Sequence, residues 1–473
     1  MPRSFVGITV MPEYIQNEGI EPVLDNLIYK AGATAVASSP YVMAPADTKS
    51  GSREPPIDAG AGSVRLLDRP LWGKRELWVT TAPSFTPDTR FYKGLRYQPA
   101  PPNELTKAHG GRLKQFLRAA QARHLKVYLQ VQAAIPPGYR VQFGGPEQHD
   151  RPQLPDGRFP SQRLANNGSL ASPHILAYHN ALLRDVVAAY PDIDGIRVDW
   201  PEYPPYFLDD VFLDFCPHAE AAAQRLSFDF ARMQSAALEL YKKLHGSLKD
   251  EDLYAWAEKD AGRHRLLRLL AELPALLNWL RFKASLIEEL LGSFRKTMDE
   301  AGAKRMELAP NAFPPPWSLA SGMDYARAAR HSSAISVKLY TMHWPVMLRF
   351  YGDALMRANP NLNDRLLTRT LVSWLDIADD EGLPSLRDYK YPEPEEPHPV
   401  GPRAQMRKIV EAQREAGRVP VYALAHGYGP VSDFRRRIAV AWQASQYGVW
   451  VNRYGYLSDE KLKVIGEVCR KEP

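Results

Sequence analysis

The sequence predicts an α/β fold, because strand-like and helix-like patterns alternate along the whole chain. Eight short segments are rich in β-branched residues, and amphipathic segments with apolar residues three or four positions apart lie between them. Eight βα units predict a single (β/α)8 barrel of the TIM type, which needs about 250 residues. The chain has 473 residues, so we expect long insertions on the C-terminal, catalytic face of the barrel.

The elements of this barrel can be placed in order along the chain. The predicted strands are residues 6–10, 35–41, 126–133, 195–200, 304–309, 335–342, 421–426 and 449–454. The predicted helices are residues 20–31, 112–124, 174–189, 286–301, 365–376, 404–416, 433–446 and 458–470. Ser458 is a suitable N-cap for the last helix, and Asp459 and Glu460 place negative charge in its first turn.

Four segments exceed what a barrel needs and are predicted to be insertions: 43–110, 135–172, 207–285 and 377–402. The first two contain many Pro, Gly and aromatic residues, and the third has a helical pattern. The first three follow strand ends directly, so we expect them to surround the catalytic face and partly cover a deep pocket. In this interpretation, all four belong to one catalytic domain that spans residues 1–473.

Charge and cysteine content argue against several classes of protein. The net charge of +6 comes from 60 basic and 54 acidic residues spread along the chain, which is not typical of a nucleic-acid-binding surface. Cys216 and Cys469 are far apart, so neither a disulfide framework nor a structural zinc site is expected. No apolar run reaches the roughly 18 residues of a membrane span, and a signal-peptide pattern is missing. We therefore expect a cytoplasmic protein, or a secreted one if a leader has been removed, without a membrane or nucleic-acid partner.

The segment DGIRVDWPEYP at residues 194–204 carries the strongest functional signal. Strand alternation places Arg197 and Asp199 on the inner face of the barrel and the apolar residues beside them on the helix side. Asp199 ends the strand, so we expect it at the barrel mouth beside Arg197, as a nucleophile, a base or a charge stabiliser. The alternative is an ion pair that only fastens the rim. Trp200 and Tyr203 offer aromatic faces to a sugar ring.

A second carboxylate is expected from Glu202, in the turn after this strand, or from Glu307, which alternation places inside the barrel on the fifth strand. Glycoside hydrolysis requires two carboxylates, since one protonates the leaving oxygen while the other attacks or activates water. In the alternative interpretation, Glu307 is a buried partner of Lys338, and Glu202 is an exposed loop residue.

Lys338 and Tyr340 point inward on the sixth strand if the apolar residues next to them pack on helices. An inward lysine on this strand is where an imine-forming barrel aldolase keeps its nucleophile, which gives a competing enzyme class. Pairing of Lys338 with an inward carboxylate is at least as well supported by the pattern.

Further polar and aromatic residues at or just beyond strand ends are expected to bind the substrate. Gln130 and Gln132, on one face of the third strand, are additional pocket candidates. The expected substrate-binding residues are Glu13, Arg197, Trp200, Tyr203, Lys338, Tyr340, His343, Trp344, His426, Asn452 and Tyr454.

No metal and no organic cofactor is expected for this chain. The sequence has no HxH pair at the end of the first strand, no HExxH, no phosphate-binding loop and no GxGxxG after a strand. It also lacks the GxSxG elbow of serine hydrolases.

The chain resembles the glycosyl-hydrolase-like barrel proteins of bacteria. The residues that carry this resemblance are DGIRVD (194–199) with EYP (202–204), and the closing runs HGYG (426–429) and NRYGY (452–456). The Gly-x-Arg-x-Asp pattern is also similar to the α-amylase superfamily, in which this Asp is the nucleophile and a strand-five Glu is the general acid/base. The resemblance implies that Asp199 is the nucleophile and Glu307 the acid/base. The chain differs from the α-amylase superfamily after His426, because no acidic residue follows there to match the third carboxylate of that superfamily.

These observations predict a glycoside hydrolase that acts through Asp199 together with Glu307 or Glu202. An imine-forming lyase or aldolase using Lys338 and a non-catalytic carbohydrate-binding barrel are the alternatives. The expected partner is a carbohydrate substrate, and no pattern points to a particular oligomeric state.

Overall fold

The computed structural model describes residues 5–56, 65–257 and 259–470. Eleven strands occur in this part of the chain: β1 (Phe5–Thr9), β2 (Ala35–Ser38), β3 (Tyr41–Ala46), β4 (Ser52–Glu54), β5 (Leu77–Pro83), β6 (Lys126–Gln132), β7 (Gly195–Asp199), β8 (Glu307–Ala312), β9 (Ile335–Leu339), β10 (Val421–His426) and β11 (Gly448–Asn452). The α-helices of the same part are α1 (Pro12–Asn17), α2 (Ile20–Asp25), α3 (Glu104–Ala122), α4 (Pro173–Ala189), α5 (Leu208–Val211), α6 (Pro217–Arg225), α7 (Phe230–Leu244), α8 (Asp250–Ala257), α9 (Lys259–Glu272), α10 (Ala275–Glu300), α11 (Trp317–Ser321), α12 (Tyr325–Ala328), α13 (His343–Ala358), α14 (Asp364–Leu375), α15 (Pro402–Ala416), α16 (Val431–Ala444) and α17 (Asp459–Arg470).

Eight strands of the described chain close into a parallel barrel in the order β1-β11-β10-β9-β8-β7-β6-β2. The predicted (β/α)8 barrel is confirmed, and every barrel strand overlaps its predicted position. The largest difference is in β8, which occupies Glu307–Ala312 rather than 304–309. Proline favours a strand end because it lacks an N–H, but β8 continues through Pro310. The residues just before Glu307, which were predicted to begin the strand, form a turn after α10. This shift matters for the site described below.

Two layers of apolar side chains hold the barrel together. Outward-facing strand residues such as Val198 and Val337 are buried in the large cluster that also contains the helices. A smaller cluster inside the barrel contains Tyr128, Leu424 and Trp450. Burying one Val, Leu or Phe side chain contributes about 1.5–3 kcal/mol, so the outer layer fixes the helices while the inner layer fills the barrel below its mouth.

Helix α13 has no counterpart among the predicted helices. The residues His343, Trp344 and Pro345 look like the end of a strand, yet they form the first turn of this helix. Proline is tolerated there because N–H groups of the first turn have no partner within the helix. No helix in the described residues is both long and apolar enough to cross a membrane.

The insertions after β2 and β6 lie at the mouth of the barrel. Strands β3, β5 and β4 form a separate antiparallel sheet that carries Glu54. Arg140, in the loop after β6, bonds to Glu54 and also to Glu13, which follows β1. Arg453, directly after β11, bonds to Glu54 from the other side.

Candidate active site

A buried arginine, Arg197 on β7, forms the floor of the barrel mouth. Its guanidinium donates to Thr9 Oγ1 (3.2 Å) and to Asn311 Oδ1 (2.8 Å), and it lies 3.9 Å from the centroid of the Trp450 ring. Burial lowers the pKa of Arg197 to about 10. The predicted inward orientation is found, but the predicted place at the rim is wrong, because Arg197 is fully enclosed in the layer below Asp199.

Gly7 on β1 makes room for Trp450. A Cβ atom at this position would lie 2.3 Å from the Trp450 ring. We expect Gly7→Ala to lower the free energy of unfolding by about 1–3 kcal/mol, as overpacked core positions do, because the Trp450 ring already packs against Arg197, Phe5 and Tyr128. Urea denaturation followed by tryptophan fluorescence measures this change.

Gly111→Ala in α3 is the matched control, because no atom lies within 4 Å of the added Cβ. In a helix this change should stabilise the protein by about 0.5–1 kcal/mol. Equal denaturation midpoints for Gly7→Ala and the wild type would contradict the packing described for Trp450.

Asp199 and Lys338 form an ion pair near the C-terminal ends of β7 and β9. Lys338 Nζ lies 2.8 Å from Asp199 Oδ1, and the two side chains are 2% and 15% exposed. The ammonium group also lies 5.3 Å from the Trp200 ring centroid and 5.1 Å from that of Phe313. Neither atom of the ion pair makes a well-directed hydrogen bond to a described residue.

The chain turns sharply after Asp199. Trp200 has a φ of +51°, a left-handed conformation that costs a bulky residue about 1–3 kcal/mol and is typical of functional sites. The turn returns Glu202 to the barrel wall, where Oε1 accepts the Phe313 N–H (2.8 Å) and Oε2 accepts the Ser321 hydroxyl (2.7 Å). Glu202 therefore fastens the turn to the segment after β8.

The environment of Glu202 differs from that of Asp199. Glu202 is fully buried, and burial raises its pKa to about 7; Lys338 opposes this shift and Asp199 adds to it. The alternative interpretation of Glu202 as an exposed loop residue is wrong, because its side chain is completely buried. A buried, protonatable carboxyl beside an ion-paired one is typical of an acid/base pair.

Aromatic and imidazole rings line the mouth along β9 to β11. The rings of His343 and His426 lie 5.6 and 5.1 Å from that of Tyr340. Tyr206 places its hydroxyl 3.3 Å from His343 Nδ1, and Asn452 Nδ2 donates to Tyr340 OH (2.7 Å). These contacts connect the ends of three strands in one wall. The ring of Trp200 continues the wall toward β7, at 6.0 Å from Tyr206.

Four buried charged residues, Glu13, Glu54, Arg140 and Arg453, form a network that we call the Arg–Glu quartet. Arg140 donates to Glu13 Oε1 (2.9 Å) and Glu54 Oε2 (2.6 Å), and Arg453 donates to Glu54 Oε1 (2.6 Å). The pKa of Glu13 is raised by burial, against the pull of Arg140. Burial acts in the same direction on Glu54, but the two arginines outweigh it and lower the pKa of Glu54. The predicted substrate-binding residue Glu13 is thus part of a closed network.

Several buried polar atoms around the mouth have no hydrogen-bond partner among the described residues. They are Gln132 Oε1, Asp199 Oδ1, Trp200 Nε1, Lys338 Nζ, His343 Nε2, Tyr391 OH, His426 Nε2 and Arg453 Nε. Since buried polar atoms are nearly always satisfied in folded proteins, their concentration at one place indicates that water or a polar ligand binds there. In the described part of the chain, no three His, Cys, Asp or Glu side chains are grouped so that they could hold a metal ion.

Glu307 lies at the opposite end of the barrel from Asp199, so its predicted place at the mouth is wrong. Glu307 pairs in register with the first residue of β7, whereas Asp199 is the last; four residues of strand span about 13 Å. The Glu307 carboxylate accepts the Tyr128 hydroxyl (2.9 Å) and pairs with Lys126 (3.0 Å). Its alternative pairing with Lys338 is also wrong, because Lys338 pairs with Asp199.

Three aromatic residues predicted to bind substrate, Tyr203, Trp344 and Tyr454, are buried away from the mouth. All three follow the last residue of a strand. Beyond that residue the two-residue alternation stops, and the turn decides where a side chain points. Their contacts are with Asp214 for Tyr203 (3.1 Å), Trp317 for Trp344 (5.7 Å between ring centroids) and Glu18 for Tyr454 (2.7 Å).

Residues outside the predicted set also reach the mouth: Glu54, Arg65, Arg140, Tyr391 and Arg453. The first four lie in insertions that have no periodic pattern, so their sequence gives no sign of their position. Arg453 lies in the run NRYGY, which the sequence does mark.

The similarity of the chain to the known proteins below is distant. No protein-family model matches the chain, and no curated protein sequence is similar to it. The catalytic domain of β-amylase from Paenibacillus polymyxa is 11% identical with a TM-score of 0.49, over 98% of this chain and 95% of that one. A class V chitinase from Pseudomonas fluorescens Pf-5 is 9% identical with a TM-score of 0.42, over 100% of both chains. β-Galactosidase from Marinomonas ef1 is 12% identical with a TM-score of 0.38, over 96% of this chain and 67% of that one. These neighbours are glycoside hydrolase barrels. Similarities of this size do not indicate what the side chains at the mouth of this barrel do.

Proposed function

We propose that the chain is a glycoside hydrolase whose reaction takes place at the Asp199–Lys338 pair. The observation that carries this proposal is a partly exposed carboxylate at a strand end, set among unpaired buried polar atoms and aromatic rings. Polar atoms and aromatic rings in this combination suit a sugar, whose hydroxyl groups need polar partners and whose C–H faces pack on rings. Asp199 acts at the anomeric carbon, as nucleophile or as the base that activates water, and Lys338 holds it in position.

Glu202 is proposed as the proton donor to the glycosidic oxygen. Its pKa of about 7, raised by burial, keeps a proton available near neutral pH. Both of its oxygens accept hydrogen bonds, from Phe313 and Ser321, so proton transfer requires the turn that begins at Trp200 to move and expose the carboxyl group to the substrate. The proposal therefore assigns this strained turn a movement during the reaction.

The pH dependence of hydrolysis tests this role. Because an acid must be protonated to act, we expect kcat/KM to fall as pH rises through about 7, the pKa of Glu202. Glu202→Gln, which keeps the size of the side chain, should remove this limb of the profile and lower kcat/KM for alkyl glycosides by about 10²- to 10³-fold.

Aryl glycosides with a very acidic leaving group supply the matched comparison, since such a group departs without a proton. Glu202→Gln should hydrolyse dinitrophenyl glycosides at close to the wild-type rate. If the variant loses both substrate types equally, or keeps the wild-type pH profile, then Glu202 only anchors the turn and the proton comes from elsewhere.

An imine-forming lyase is the second candidate, because Lys338 Nζ faces the mouth without a well-directed hydrogen bond. An imine requires the neutral amine as nucleophile, however, and Lys338 is held in an ion pair with Asp199. We therefore expect no adduct on Lys338 when the protein is treated with borohydride and pyruvate or glyceraldehyde. Mass spectrometry of the digested protein is the measurement, and a reduced adduct on Lys338 would favour the lyase.

A further inference from the structure

The unpaired polar atoms of the mouth are unevenly distributed. On the side of β6 and β7, two acceptors, Gln132 Oε1 and Asp199 Oδ1, and one donor, Trp200 Nε1, make no well-directed hydrogen bond to a described residue, although Asp199 Oδ1 forms an ion pair with Lys338. On the side of β9 to β11, His343, Tyr391, His426 and Arg453 each present an unpaired nitrogen or hydroxyl. We call these four residues the donor side, for the reasons that follow.

His426 presents a donor. Its Nδ1 accepts the Tyr428 N–H at 3.1 Å, and its pKa lies well below the usual value because of burial and the nearby Arg65 guanidinium. A neutral imidazole carries one proton, and with Nδ1 acting as acceptor that proton is on Nε2. Nε2 has no partner among the described residues, and the side chain is completely buried. His426 therefore directs an unsatisfied N–H at the mouth.

His343 presents a second donor by the same reasoning. Its Nδ1 lies 3.3 Å from the Tyr206 hydroxyl, and a phenol is the better donor of this pair. Burial, with help from Arg65 and Lys338, holds the pKa of His343 well below the usual value. The single ring proton is then on Nε2, which again has no partner among the described residues.

The donor side also includes Arg453 and the hydroxyl of Tyr391, and a second cation, Arg65, lies next to it. Arg453 Nε has no well-directed hydrogen bond to a described residue, and the guanidinium lies 5.3 Å from the ring centroid of Tyr456. Arg65 lies 5.2 Å from the same ring and donates to the Tyr456 hydroxyl. Tyr391 is 5% exposed, its hydroxyl has no partner in the described part of the chain, and its ring lies 5.8 Å from that of His343. These groups bring donors and positive charge together.

We propose that the donor side binds an oxyanion substituent of the carbohydrate, so that the preferred substrate is an acidic sugar, with a uronic acid carboxylate as the expected group. A hydroxyl brings a proton of its own, whereas an ionised carboxylate only accepts and has about four lone-pair sites. The two imidazole N–H groups and the Arg453 N–H can only donate, so a carboxylate satisfies them and a neutral sugar does so only partly, while the Tyr391 hydroxyl can donate or accept. The acceptors on the β7 side bind hydroxyls of the same ring. The inference rests on the proposed function only in taking a carbohydrate as the occupant.

Isothermal titration calorimetry of the full chain with free sugars tests the inference without hydrolysis. The probes are D-glucuronate and D-galacturonate, their neutral counterparts D-glucose and D-galactose, glucose 6-sulfate, and sodium acetate. We expect the uronates to bind about 10- to 100-fold more tightly than the neutral sugars, as hydrogen bonds to a charged group do. A preference for glucose 6-sulfate over the uronates would identify a sulfate ester as the source of the oxyanion.

Tyr391→Phe removes one hydroxyl without changing the packing and should weaken uronate binding about 10-fold, with little effect on glucose. Tyr29→Phe is the matched control, because Tyr29 is 70% exposed and should leave both affinities unchanged. Equal affinity for uronates and neutral sugars would overturn the inference, and so would acetate binding as tightly as the uronates.

The two proposals fail in distinguishable ways. If the protein binds uronates, Tyr391→Phe weakens this binding and no glycoside is hydrolysed, then the donor side is supported and the hydrolase proposal is refuted. If the protein hydrolyses neutral glycosides through Asp199 and does not prefer uronides, then the hydrolase proposal is supported and the inference of an acidic substrate is refuted.

Discussion

Replacing Asp199 by asparagine should lower kcat/KM for the preferred glycoside by about 10³- to 10⁴-fold while the sugar still binds. The side chain keeps its size and one oxygen, so the barrel mouth should fold as before. What is lost is the charge that attacks the anomeric carbon or activates water, and the ion pair with Lys338. Steady-state kinetics on a panel of aryl glycosides, together with calorimetric binding of the free sugar, measures both effects.

Glu307→Gln is the matched control for this variant. Glu307 is also a carboxylate inside the same barrel, but it lies at the far end, bonded to Tyr128 and Lys126. Its replacement should leave kcat/KM unchanged. Equal activity of Asp199→Asn and the wild type would remove Asp199 from the reaction. Sugar binding without any hydrolysis by the wild type would favour a non-catalytic carbohydrate-binding barrel.

The contrast between Asp199 and Glu307 shows what alternation can predict. A period of two residues fixes the face on which a strand side chain lies, and both carboxylates do face inward. It carries no information on height along the barrel, which depends on where each strand begins to pair with its neighbour. Because β8 starts three residues later than predicted, Glu307 is its first residue rather than one near its end. The predicted carboxylate pair is therefore wrong in the position of Glu307 along the barrel axis, although both side chains face inward as predicted.

Residues beyond strand ends are harder to predict from sequence. His343 reaches the mouth, whereas Trp344, the next residue, packs away from it, and so does Tyr454, two residues beyond the end of β11. Within a turn, direction depends on backbone angles that no simple repeat describes. The same holds for Arg140, which reaches the mouth through a long loop and has no periodic signal. The barrel and the position of Asp199 follow from local pattern, while the walls of the site follow from tertiary contacts.

The Arg–Glu quartet should contribute strongly to stability, and Arg140→Met is the variant that shows it. Arg140 bonds to Glu13 and Glu54, and all three side chains are no more than 5% exposed. Removing the guanidinium leaves buried carboxylates with too few partners, which should lower the free energy of unfolding by about 3–5 kcal/mol. Urea denaturation at pH 7 followed by tryptophan fluorescence measures this loss.

The pH dependence of the same variant separates lost charge from lost packing. In the wild type, the lowered pKa of Glu54 means that its ionised form stabilises the fold above the ordinary carboxyl pKa, and that this contribution disappears as pH falls through the folded-state value. In Arg140→Met the carboxylates are penalised only while ionised, so the difference from wild type should shrink as the pH is lowered toward about 4. Arg158→Met, at a 69% exposed arginine paired with Asp156, should behave like the wild type throughout. A difference that stays constant with pH would assign the stabilisation to the packing of the Arg140 side chain instead of its charge.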